Sequence, residues 1–115
     1  MHELAIAQSI AEVVSARAAE RQATRVTSVR LRVGEASGVV TDSLTFCFEM
    51  LASLDPVLAP ARLSVERTPH RAWCERCAGE FPVRDYIARC PECGEWSDQI
   101  VSGRELQVLE MEIET

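Results

Sequence analysis

The 115-residue sequence predicts an α+β fold: a small three-stranded sheet with two helices, interrupted by an inserted domain built on four cysteines. Three observations point there. Apolar residues recur at three- and four-residue steps in two stretches. They alternate at strand period in three others. Two Cys-x-x-Cys pairs, separated by twelve residues, stand between the second and third alternating stretch.

The first helix begins near Leu4, where Leu4, Ala7, Ile10, Ala11, Val14 and Ala18 form an apolar stripe and Gln8, Glu12, Arg17 and Arg21 fill the other face. His2 and Glu3 occupy its first turn, where backbone amides lack helical partners. Residues 25–33 alternate, with Val29, Leu31 and Val33 on one face and Ser28, Arg30 and Arg32 on the other, as in a half-buried strand. A turn over 34–38 leads to a second helix, with Thr41 or Asp42 as its expected cap and Leu44, Cys47, Phe48 and Leu51 as its stripe; Asp55-Pro56 ends it. A strand at 61–68 is closed by Pro69. The last segment, 105–114, changes parity between Leu106/Val108 and Leu109/Met111/Ile113, which predicts a bulge near Val108 or a sheet covered on both sides. Glu105, Glu110, Glu112 and Glu114 read as the solvated side of an edge strand. The division is therefore an α/β domain of residues 1–69 and 101–115 and an insertion of residues 70–100, hinged near 68–71 and 98–103.

Cys74, Cys77, Cys90 and Cys93 sit at the spacing of two zinc knuckles. Each pair places two sulfurs on one turn, and the short spacer lets the turns meet in a tetrahedral four-thiolate shell. Such a shell leaves no position for water, so the expected Zn(II) is structural, not hydrolytic. Disulfides are the competing assignment. The start Met1-His2-Glu3-Leu4 lacks a basic residue, and Gln8, Ser9 and Glu12 break the run behind it, so neither an export signal nor a membrane span is expected. A cytoplasmic, reducing location favours metal over cystine. The insertion's apolar residues are few (Trp73, Phe81, Val83, Tyr86, Ile87 and Trp96), so the metal should supply most of its folding energy.

The formal charge is −6, and all twelve basic residues are arginine, which excludes lysine-based Schiff-base or general-base chemistry. The insertion is acidic even before a four-thiolate zinc adds to it, unlike a nucleic-acid footprint. With only His2 and His70 present, a multi-histidine site within the chain is excluded. His2 offers its imidazole, its backbone nitrogen and the Met1 amine to one chelate, a nitrogen-rich set suited to Ni(II) or Cu(II), and Glu3 can add an oxygen. The same position also fits an unremarkable frayed terminus, and residue chemistry alone leaves both open. Cys47 is expected to be a buried core thiol, and His70 a solvated connector.

Met1-His2-Glu3-Leu4 with Ala7-Gln8-Ser9-Ile10, Val33 to Val39 (VGEASGV), the two Cys-x-x-Cys pairs and Ser102-Gly103-Arg104-Glu105-Leu106 together resemble the HypA/HybF family of nickel metallochaperones for nickel-iron hydrogenase maturation. The resemblance implies that His2 is the essential nickel ligand, aided by Glu3 and the N-terminal backbone, with Ni(II) as transported cargo and structural Zn(II) on the four cysteines. It implies a HypB-type nickel GTPase and the hydrogenase large subunit as partners, with urease served by some members. It implies no enzymatic turnover; from the acidic charge and the broken apolar run neither nucleic acid nor membrane is expected, and the chain is expected to be a monomer or weak homodimer. Where some members are thought to place an acid after the glycine-containing turn, Val39 and Val40 stand here, so Asp42 is carried as a further candidate ligand. The alternatives are a zinc-ribbon adaptor that binds protein or nucleic acid and, third, an enzyme with Cys47 as nucleophile.

Overall fold

The computed structural model describes residues 2–115. Its elements run α1 (Glu3–Glu20), β1 (Arg25–Gly34), α2 (Thr41–Ala52), β2 (Arg62–Thr68), β3 (Arg71–Cys74), β4 (Gly79–Pro82), β5 (Ile100–Ser102) and β6 (Leu106–Glu114). Two three-stranded sheets result, ordered β2-β1-β6 and β4-β3-β5. The chain groups into two compact units, Met1–Arg32 with Val39–Glu66 and Gln107–Thr115, and Val33–Gly38 with Arg67–Leu106.

In the first unit α1 and α2 pack on each other. The buried face of α1 is Ala7, Ile10, Val14 and Ala18, in phase with Glu3, while Leu4 lies outside it. That corrects the expected stripe: steps of four, three, four and four from position 3 make a narrower face than one starting at Leu4. α2 buries Leu44, Phe48 and Ala52. Cys47 is only half-buried, because it lies at the edge of that stripe. Neither Thr41 nor Asp42 caps α2. Both are inside it, and Val40 is the N-cap, with no capping side chain of its own.

β1 is central and fully buried at Val26, Val29, Leu31 and Val33. Its outward arginines are bracketed by acids from both neighbours: Arg30 donates to Glu110 of β6 at 2.8 Å and to Glu66 of β2 at 2.9 Å, and Arg32 donates to Glu66 at 2.8 Å. Arg32 first, and Arg30 after it, hold the Glu66 carboxyl below the usual carboxylate range. The acids of β6 are therefore not merely solvated. Glu112 accepts from Ser28 at 2.8 Å and Glu114 pairs with Arg25 at 3.6 Å, while Glu105, just before the strand, accepts the Gly103 N–H at 2.8 Å. Exposed pairs of this kind each contribute about 0–1 kcal/mol, so they fix register more than stability. On β6 Val108 is half-buried, as are Leu109, Met111 and Ile113 of the other parity, while Leu106 is exposed, so the first expected face keeps only Val108.

The second unit has its own sheet. β3 runs antiparallel to β4, with Cys74 opposite Gly79, and antiparallel to β5, with an irregularity between Arg71 and Ala72. Its small core is Ala72, Cys74, Phe81, Val83 and Cys90. The turn after β1 belongs here for local reasons: Glu35 N–H donates to Thr68 C=O, Ala36 N–H to Gly103 C=O, and the Glu35 carboxylate accepts the His70 N–H at 3.0 Å. Gly34 meets Gly103 backbone to backbone, where a Cβ on Gly34 would stand 2.1 Å from the Gly103 carbonyl. Gly34→Ala should therefore destabilise by about 3 kcal/mol, since rigid main chain must move. Equilibrium urea unfolding checks it, and an unchanged midpoint would refute the close approach.

Candidate metal centres

The knuckles form because β3 ends at Cys74 and the chain turns at once through Cys77 and Ala78 into β4, with Ala78 at φ 54°. The Cys77 N–H points at the Cys74 sulfur, 3.4 Å away. In the second knuckle Gly94 N–H donates to Cys90 C=O and Cys90 N–H to Glu95 C=O, both at 2.9 Å. Arg89 donates to Gly94 C=O at 2.9 Å and lies over the Trp96 ring.

The turns bring all four sulfurs within 4.8 Å of one another, with Cys74–Cys93 at 3.6 Å and Cys77–Cys90 at 3.9 Å. Four thiolates about 2.3 Å from a central ion stand about 3.8 Å apart, so the cluster fits tetrahedral zinc. A disulfide needs about 2.05 Å, and none of the four is bonded to another. The backbone N–H groups of Cys93 and Glu92 hold the Cys90 thiol down at about 7. Hydrogen bonding to Cys93, then burial, pushes Cys77 up to about 12. Crowded thiols resist losing successive protons, and a dication removes that resistance.

At the other candidate site His2 is the N-cap of α1, exposed, with its carbonyl accepting the Ile6 N–H at 2.9 Å and its side chain unused in capping. Glu3 differs. It is buried, 6% exposed, and its carboxylate accepts the Val40 N–H at 3.0 Å. The chain's positive amino group and the Val40 N–H hold that carboxyl down at about 2. A capping-box glutamate reaches back to the N-cap N–H of its own helix. Here Glu3 of α1 does so for α2. Glu3→Ala should lower the melting temperature by roughly 5 °C, the effect of losing one buried hydrogen-bonded group, while Glu3→Gln, which keeps an acceptor oxygen, should fall much less. Equal losses in both variants would argue against the bond.

Of the sequence-predicted residues, the four cysteines converge completely, and Glu3 meets the start of α2, where Asp42 lies exposed in the first turn. The Met1 amine lies outside the described residues. His70 is not a solvated connector. It is 7% exposed, its ring stands edge-on to Tyr86, and its backbone is held by Glu35, because Gly103 and the strand ends close over it. The Glu3–Val40 bond was missed by sequence reasoning, although Glu3 falls in phase with the buried face of α1. No sequence pattern marks the Glu35–His70 pairing.

The family model described as hydrogenase/urease nickel incorporation, metallochaperone, hypA matches residues 1–113. The hydrogenase maturation factor HypA of Geobacter metallireducens is 46% identical over 114 residues, covering 99% of this chain and 100% of that protein. That of Geobacter sulfurreducens is 41% identical over the same spans. The solution structure of the Ni metallochaperone HypA from Helicobacter pylori aligns with a TM-score of 0.71 at 23% identity, over 99% of this chain and 98% of that one, which shows a shared fold.

Proposed function

Since the chain belongs to the HypA family of hydrogenase/urease nickel-incorporation metallochaperones, we propose that it takes up Ni(II) at its amino end and gives it up during hydrogenase maturation without turnover of its own. It is a nickel metallochaperone with a four-cysteine cluster that fits structural zinc. One observation carries the nickel assignment: His2 stands exposed with its side chain uncommitted to the helix cap, while the next residue, Glu3, is anchored. The site is thus held at its root and open at its tip.

That asymmetry suits cargo. The His2 imidazole, the His2 backbone nitrogen and the Met1 amine form the nitrogen set, with Glu3 or Asp42 adjoining it as oxygen donors. An acceptor's groups can reach such a site directly, and few protein ligands have to be displaced. The sulfur cluster is the opposite case. Cys74 and Cys90 are buried, the shell is closed, and its ion holds the second unit in shape.

Handover runs from a HypB-type nickel GTPase to the hydrogenase large subunit, with the chain acting in the cytoplasm as a monomer or weak homodimer, apart from nucleic acid and membrane. Among the described residues no helix is long and apolar enough to cross a membrane. Parallel nickel and zinc titrations of the parent and His2→Ala proteins test the assignment.

A further inference from the structure

The two helices carry more apolar surface than the fold uses. Phe46 and Met50, four residues apart on α2, and Leu54 in the turn that follows it are 69%, 45% and 80% exposed. Leu51, next to Met50 on α2, and Asp55, next to Leu54, line an open groove of about 690 Å³ whose α1 wall includes Ala11, Ser15 and Ala19. Two of the exposed apolar residues, Met50 and Leu54, thus each adjoin a groove-lining residue along the chain. Small side chains on α1 let another backbone come close, and bulky ones on the α2 side offer area to bury. A phenylalanine and a leucine left this exposed, beside a groove, mark a contact surface rather than scattered surface apolar residues.

We propose that this groove is a docking site for a cationic amphipathic helix of a partner protein. Charge selects the occupant. Over residues 3–21 and 41–58 the helices and the residues that end them carry Glu12, Glu20, Asp42, Glu49 and Asp55, besides the buried Glu3, against Arg17 and Arg21, and Glu12 and Asp55 lie at the groove itself. No arginine lines it. A second copy of this chain would set the same acidic layer against itself in a two-fold contact, which like-charge repulsion opposes. From Gln8 to Ala19 the α1 wall spans twelve residues, eleven rises of about 1.5 Å each, or about 17 Å, the length of three helical turns. The partner segment thus presents leucine-like residues at helical spacing and lysine or arginine on its flanks.

The full chain is titrated against a fluorescent Leu/Lys peptide of about 18 residues with leucines at helical spacing, its scrambled isomer and a Leu/Glu analogue, read by anisotropy. The ordered basic peptide should bind at least about tenfold tighter than either control. Ala19→Trp should weaken it about tenfold by filling the groove. Glu12→Arg, a surface change that the fold tolerates, should weaken it about threefold and flatten its salt dependence. His2→Ala should bind the peptide as the parent does, so failure of the nickel assignment and failure of this one are separable. Equal binding of the scrambled or acidic peptide overturns the proposal. So does parent-like binding by Glu12→Arg together with a folded Ala19→Trp, or sedimentation of the parent as a dimer that these changes dissociate.

Discussion

His2→Ala abolishes stoichiometric nickel binding and leaves one zinc per chain: that is the result expected from calorimetry with each metal. The imidazole is the side-chain nitrogen donor of the proposed set, and the only other histidine in the sequence, His70, is buried in the second unit. A fall of at least about a hundredfold in affinity, or about 2.7 kcal/mol, should follow. The positive end of α1 opposes a cation by about 0.3–1 kcal/mol, so what remains after the imidazole is gone is weaker than an exposed carboxylate site elsewhere. Nickel uptake by the variant at parental affinity would refute the amino-terminal assignment.

Cys74→Ser has the larger structural effect. The second unit's core contains five buried residues, and two of them, Cys74 and Cys90, belong to the sulfur cluster, so the metal and the apolar core rest on the same side chains. Structural zinc contributes about 10–16 kcal/mol in small domains, far more than the apolar area of Ala72, Phe81 and Val83 supplies. The variant should lose its zinc, and amide protection over 71–102 should collapse. Fluorescence of the half-buried Trp73 should shift toward that of exposed indole, whereas Trp96, 68% exposed already, should change little. Chelation of zinc from the parent should reproduce the same changes. Retained protection across β3 and β4 without metal would show that the sheet folds by itself.

Both helices and the three longer strands were legible in the sequence because period and burial agree there, as at Val29, Leu31 and Val33. The four sulfurs were legible because knuckle geometry is set by spacing within a turn. What escaped depended on contacts distant along the chain. Glu3 and Val40 are thirty-seven residues apart, and Glu35 and His70 thirty-five. Nothing local announces either pair. The second sheet was also missed, since strands of three or four residues are too short to show a period. Leu4 was placed in the core for the opposite reason: a charged residue at position 3 hid the true phase of the helix, and only its burial partner explains why an acid belongs there.

The bond from Glu3 ends on main chain. Position 40 therefore contributes an amide hydrogen and nothing of its side chain, and nineteen of the twenty amino acids can supply one; proline alone cannot. The fastening between the two helix starts is thus indifferent to what the gene writes at its far end, and a comparison of letters at that site will overlook it even where it is kept.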